Sequence, residues 1–425
     1  MAVSTHFDTA DTFAQPALQP PLRKFARGAL DRFGIRKVPG KHVTMYTDLP
    51  SSAEVDSLPK VFDQAFGQWC RYFGRDPAKL ADWHVNGFVI KDKAKFQANG
   101  MLPGDLPEFP NGYARGNEFW LYEQKSDYYR RHLFLHEGTH AFMFYVFGTC
   151  GPPWYMEGMA ELLGTHKWAG GRLTLMHFPE SREEVPYLGR IKLVKDDVAR
   201  GAPMSLEAIM RYDGRAHRRT EAYAWCWAAT VFLAKHPAYS KQFHRLYQLL
   251  PAGDFNDRVY ESYRGSWRNL NLEWNEFIKT IEYGHDIPRA AMDFSAAEPV
   301  TATGKIVKLR ADVGWQNSRF KLEPGKKYRI RAKGRYQIAK TDRPWAAEPG
   351  GVTIRYWDGK PLGQLIGRFL NPAKGGWLTE PFAIGLDQTI AAEPGGVLYL
   401  KVNDSPGELD DNQGTLLVHV VPVDE

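Results

Sequence analysis

The feature that most limits how this chain can fold is HEGTH, residues 136–140, set inside a helical run over Tyr128 to Phe147. His136 and His140 fall one turn apart on a single face, so both imidazoles reach one ion. Zn²⁺ takes nitrogen ligands at about 2.0–2.1 Å, which this spacing suits. Glu137 projects about 100° around the same helix, where its carboxylate receives a proton from a metal-bound water whose pKa the metal lowers towards about 7. A catalytic zinc also wants a third protein ligand. PPWYMEGMAELLG offers Glu157 on a second helix, opened by Pro152 and Pro153 where proline is tolerated. Glu161, four residues on, shares that face and is expected to accept the free N–H of a ligand histidine. The fold must then bring two helices onto one ion.

Two neighbours of this constellation carry weaker signals. Gly138 costs about 1 kcal/mol relative to alanine inside a helix, which points to a close packing partner or a close approach. His132, one turn before His136, reads as a surface or supporting residue.

At 425 residues the chain is expected to form two or three domains. Residues 1–38, rich in Pro and Ala with one helical candidate at Leu22 to Phe33, read as an N-terminal arm. From residue 39 to 292 the pattern is α+β. KHVTMYTDLP and HVNGFVI read as strands, Ala53 to Phe73 as an amphipathic helix, and GYARGNEFWLYEQ as a hairpin turning at Gly116 and Asn117. Helices follow at Pro153 to Thr165, Arg190 to Arg200, Ser205 to Arg211, Thr220 to Lys235, Ser240 to Leu250 and Leu270 to Tyr283. After the linker SAAEPVTATG, residues 301–425 carry short alternating segments: KIVKLRA, KYRIRAKG, GVTIRYW, LGQLIG, VLYLKV and TLLVHVV. They predict an all-β sandwich, and the turn AAEPGGV, at Ala346 to Val352 and again at Ala391 to Val397, leads into a strand each time.

Charge and cysteine usage narrow the function classes. The net charge of +6 is spread over 55 basic and 49 acidic residues without a long basic run, so no nucleic-acid partner is expected. The local excesses at Arg215 to Arg219 and Tyr128 to His132 read as solvated surface. Cys70, Cys150 and Cys226 form no CxxC pair and read as buried thiols. No apolar run reaches 18 residues, so no membrane span is expected.

HExxH, followed after sixteen residues by the glutamate of WxxEGxAE, resembles the gluzincin metallopeptidases, the superfamily of thermolysin and the zinc aminopeptidases. The likeness covers roughly Gly40 to Tyr283. It implies a thermolysin-like mixed sheet with a helical subdomain, zinc at His136, His140 and Glu157, a general base at Glu137, support from Glu161, and peptide-bond hydrolysis. It further implies an oxyanion donor on a later helix, for which Tyr223 in RTEAYAWCWAATVFL is the first candidate and His217 the alternative. Substrate peptides in the superfamily lie along an edge strand; Asn117 to Gln124 is expected to play that part, with Tyr113 and Trp120 either lining subsites or joining the core. An extracytoplasmic location is favoured by the same resemblance.

In the C-terminal module, VNDSPGELDDNQG resembles the metal loop of calcium-dependent galactose-binding bacterial lectins called PA-IL-like, and the likeness runs over about Thr301 to Val423, including the strand Gly363 to Gly367. It implies Ca²⁺ held by Asp404, the carbonyl of Glu408, Asp411 and Asn412. Asp411 replaces an asparagine, and the histidine and glutamine that such lectins direct at sugar have no counterpart here. A calcium-free Asx-rich turn is the alternative. The expectation for the whole chain is a zinc peptidase of peptide, protein or glycoprotein substrates, targeted by a calcium- or carbohydrate-binding module. The competing expectation is a catalytically silent scaffold that binds carbohydrate or another surface.

Overall fold

The computed structural model describes residues 20–215, 219–340, 342–371 and 376–423. The chain opens with helix α1 (Arg27–Phe33) and strands β1 (Arg36–Pro39) and β2 (Val43–Thr47). Where periodicity predicts one helix there are two, α2 (Ala53–Asp56) and α3 (Leu58–Tyr72). Pro59 has no N–H to offer the preceding turn, so the helix restarts beside it. Strand β3 (Val85–Ile90), helix α4 (Lys93–Ala98) and strands β4 (Gly112–Arg115) and β5 (Glu118–Tyr122) complete a sheet of order β1-β2-β3-β5-β4.

In this sheet β2, β3 and β5 run parallel, while β1 and β4 pair antiparallel at the two edges. β3 is buried along its whole length, as a strand covered on both faces must be. One face packs Phe119 and Leu121 into the main core with α3; the other packs Phe88 and Trp120 against Leu30 and Phe96 of α1 and α4. Two expectations change here. The end of the supposed arm belongs to the domain: β1 pairs with β2, and Arg23 Nε donates to Glu118 Oε1 at 2.8 Å. The edge strand is β4, because the hairpin inserts β5 between β3 and β4.

Helix α5 (Asp127–Phe147) lies on the sheet, started by Ser126, whose hydroxyl accepts from Tyr129 N–H, and stopped by Gly148 at φ +72°. Then come α6 (Pro153–Gly164), the hairpin β6 (His166–Ala169) and β7 (Arg172–Leu175), α7 (Arg190–Ala199), α8 (Leu206–Met210) and α9 (Thr220–Lys235). α9 is apolar nearly all round and is accordingly buried from Ala224 to Ala234. No helix among the described residues is long and apolar enough to cross a membrane.

The C-terminal part is β-rich. A sheet ordered through 350–357, 360–371, 396–402, 316–322 and 298–299 faces a four-stranded sheet of 387–391, 327–333, 415–422 and 305–310. Alternation in KYRIRAK buries Tyr328, Ile330 and Ala332 and turns the charged residues outward. Residues of both sheets share one core, which makes the module a sandwich.

A polar seam joins sandwich and helical half. Arg368, nearly fully buried, pairs with Glu276 at 2.7 Å and lies 4.1 Å over the ring of Trp315. Asp286 N–H donates to Pro406 O at 2.9 Å, and Ser405 Oγ donates to Glu282. His285 sits in this seam, 5.0 Å from the ring of Phe277, and burial pushes it down to about 3 from 6.5. A base with a depressed folded pKa takes up a proton on unfolding, so its penalty is absent above pH 6.5 and grows as pH falls below it. At pH 5 the penalty is on the order of 2 kcal/mol. His285→Gln is expected to flatten the decline in unfolding free energy between pH 6.5 and 4, measured by urea titration; an unchanged slope would mean that the imidazole is charged in the fold.

Candidate metal centre

Helices α5 and α6 bring three donor atoms together. His136 Nε2 and His140 Nε2 stand 3.1 Å apart, and Glu157 Oε2 lies 3.2 Å from the first and 3.5 Å from the second. Four ligands at about 2.0–2.1 Å around a tetrahedral ion are separated by roughly 3.3–3.4 Å, so the triangle fits zinc without rearrangement. Glu157 Oε2 is buried and faces the two imidazole nitrogens. A buried carboxylate oxygen is costly unless positive charge meets it.

The surrounding charge points the same way. Glu137, Glu157 and Glu161 are buried here against one buried guanidinium, Arg190. With the imidazoles neutral, as they must be to hold a metal, that leaves an excess of two negative charges, which a divalent cation would balance. Burial opposes charge on His136, but hydrogen bonds with Glu157 and Glu161 outweigh it and raise the imidazole to about 9. Burial alone would raise Glu157, yet His140 and His136 hold it down to about 2. The pocket favours positive charge between its donors.

Glu161 stands where the sequence places it, with Oε1 3.3 Å from His136 Nδ1. Arg190 clamps it from the other side, Nε to Oε2 and Nη2 to Oε1, both at 2.8 Å. Arg190 escapes a sequence reading because it lies 29 residues away at the start of α7, among ordinary charged residues. His132 is wholly buried rather than superficial, with Nε2 3.5 Å from Glu161 Oε2. The basic run Tyr128 to His132 is interior too: Arg130 pairs with Glu123 and Asp127, and Arg131 Nε donates to His166 Nε2 at 2.8 Å. Arg130 finds its partners within seven residues, whereas those of Arg131, His166 and Glu54, come from distant segments.

Glu137 lies against the edge strand. A Cβ on Gly112 would collide with its carboxylate, so glycine there lets β4 approach Glu137. Burial raises the Glu137 pKa, with His136 and His140 partly offsetting it. Gly138 meets its expected close neighbours, the rings of Phe62 and Trp69. Tyr223 projects from α9 with its ring 5.9 Å from His136 and 5.5 Å from the Arg190 guanidinium, and burial keeps its phenol protonated. His217 lies outside the described residues.

These groups open into a cleft of ≈ 1410 Å³, also lined by β4, Phe144 and Cys150. Cys150 is thus half-buried, unlike Cys70 and Cys226, and its thiol donates to His140 O at 3.5 Å. Trp120 takes the core alternative: it is fully buried, stacks on Phe88 at 5.5 Å and donates through Nε1 to Met101 O. Alternation explains this, since Gly112 faces Glu137 and Tyr113, paired with Trp120, faces the other side of the sheet. Tyr113 still reaches the cleft at its outer rim.

In the sandwich, Asp404 and Asn412 are buried together. Asp404 accepts from Ser405 N–H at 2.7 Å and from Asn412 Nδ2 at 2.8 Å, and burial pushes it up to about 7. Asp411 Oδ2 accepts from Lys340 N–H at 2.8 Å, while Asp411 Oδ1 and Asn412 Oδ1 have no hydrogen-bond partner among the described residues. The Glu408 carboxylate turns away to Arg355.

Glu157→Ala is expected to drop zinc content well below one equivalent by elemental analysis. Glu161→Ala is expected to keep the ion but weaken it about 10–100-fold in chelator competition. Full retention in Glu157→Ala would move the third ligand elsewhere.

No family model matches the chain, and neither does a curated protein. Among solved structures, one described as "EclA N-terminal domain; PllA-like lectin" is similar over 28% of this chain and 95% of that chain, at 19% identity and a TM-score of 0.23. At that score the likeness carries no weight for what the sandwich binds.

Proposed function

We propose that the chain is a zinc-dependent peptidase of the gluzincin kind. The observation that carries this is the triangle of His136, His140 and Glu157, with Glu137 beside it, opening on a cleft bordered by a strand edge unpaired among the described residues. The cleft is larger than the roughly 300–1,000 Å³ of small-molecule pockets, which favours a polymer as substrate. An exposed strand edge suits an extended peptide, whose backbone it can pair.

Zinc, when bound, supplies a Lewis acid that polarises a carbonyl and makes water acidic near neutral pH. Glu137 takes the proton of the attacking water and delivers it to the departing nitrogen; burial, by weakening its acidity, suits it to both tasks. Tyr223 donates its O–H to the oxygen on which negative charge develops. Arg190 and Glu161 hold His136 in one orientation. Glu137→Ala is expected to keep zinc and lose roughly 10²–10⁴-fold in peptide release from an unfolded protein. Activity untouched by that change would refute the mechanism, and zinc binding without any cleavage by the wild type would favour a binding protein on the same scaffold.

For the sandwich, the reading is a Ca²⁺ site at Asp404, Asp411, Asn412 and the Glu408 carbonyl. The donor set is all oxygen, and two of its buried oxygens want a cation. Ser405 to Gly407 lie against the turn Glu282–Asp286, so a carbohydrate has no access from that side. Ca²⁺ at a hundredfold excess over its Kd is expected to stabilise the fold by about 2.7 kcal/mol, read as a rise in Tm that Asp404→Ala abolishes. An equal rise in that variant would place the ion elsewhere.

A further inference from the structure

The cleft does not end at the metal. It wraps over the edge strand β4 and continues on the opposite face of the sheet, where Phe109 lies between Tyr113 and Tyr122. The Phe109 ring stacks on both tyrosines, 5.9 Å and 18° from Tyr113, and 5.1 Å and 19° from Tyr122. All three are half-buried, and Leu106 extends the apolar surface beside them. The fully buried core of this face, Trp120 and Phe88, is already complete beneath them. A stacked aromatic surface left half-open at the rim of a reaction cleft is available to a ligand side chain.

Strand periodicity says which side chain. A chain paired with β4 continues the sheet, so its residues point alternately to the Glu137 face and to the Phe109 face. Gly112 marks the first face and Tyr113 the second. Resting on the peptidase reading above, we propose that Phe109, with Tyr113 and Tyr122, is the surface that determines specificity: it receives a bulky apolar or aromatic side chain. That side chain lies an odd number of residues from the one facing Glu137. The substrate class is therefore an extended peptide segment with apolar residues in alternation, held on both sides of the edge strand.

The test uses the full chain loaded with zinc and peptides that differ only in carrying Phe or Gly at one position, walked along the sequence. Wild-type cleavage is mapped by mass spectrometry, and binding to the Glu137→Ala protein is measured by fluorescence polarisation. Phe is expected to be preferred at positions of one parity relative to the cleaved bond. Phe109→Ala is expected to lower the Phe-to-Gly ratio roughly tenfold in both measurements, with zinc content unchanged. Phe109→Leu, which keeps an apolar surface, is expected to fall between and serves if the alanine variant does not fold. Cleavage with a ratio untouched by either variant overturns the surface and leaves the peptidase reading standing. Phe109-dependent binding without cleavage overturns the peptidase reading and leaves the surface standing. Neither binding nor cleavage overturns both.

Discussion

The candidate metal centre depends on one buried interaction, the two-pronged contact between Arg190 and Glu161. Glu161 is wholly inaccessible, and burying an ionised carboxylate is expensive unless opposite charge and directed hydrogen bonds meet it. Arg190 meets both oxygens, burial and ionisation become compatible, and Oε1 remains placed to orient His136. The orientation of His136 in turn fixes the triangle with His140 and Glu157. A guanidinium does this better than an ammonium because its planar fork matches a carboxylate and keeps its charge when buried. The same residue lies against Tyr223, so the groups on α5, α6, α7 and α9 converge on one side chain.

Helix packing keeps that convergence rigid. α6 and α9 meet at Gly158, where a Cβ would collide with Thr230, and the Thr230 hydroxyl donates to Gly158 O at 3.0 Å. Gly158 follows Glu157 directly, so this close contact sets the third donor and Tyr223 in one frame. On the far side Gly138 admits Phe62 and Trp69 between α3 and α5. Each glycine gives up helical stability, about 1 kcal/mol against alanine, for a shorter distance between elements.

What could be read from the sequence follows from range. His136, Glu137 and His140, and likewise Glu157 and Glu161, sit on single helices whose period is local, and the structure sets them where that period implies. The α+β organisation and the alternating strands of the sandwich were legible for the same reason. Arg190 was not, nor were the partners of Arg131, because a contact between distant segments leaves no periodic trace. Trp120 shows a subtler limit: alternation tells that Tyr113 and Trp120 share a face but not which face meets Glu137. Likewise a hairpin pattern does not reveal which of its strands lies outermost, and here the second strand is interior.

The seam between the two halves bears on how separable they are. A targeting module on a tether would present its ligand loop to solvent, whereas here the Asp404 loop is pinned by Asp286 and Glu282 and lies beside the buried Arg368–Glu276 pair. Removing one partner of such a pair leaves an uncompensated buried charge, at a cost of about 3–5 kcal/mol. The sandwich therefore behaves as a structural continuation of the helical half. The turn Glu282–Asp286 that it grips also receives the segment before Arg190, through the bond from Gly284 N–H to Pro179 O. Two hydrogen bonds and two covalent stretches, within the turn and from Pro179 to Arg190, thus separate the Asp404 loop from the residue that clamps Glu161.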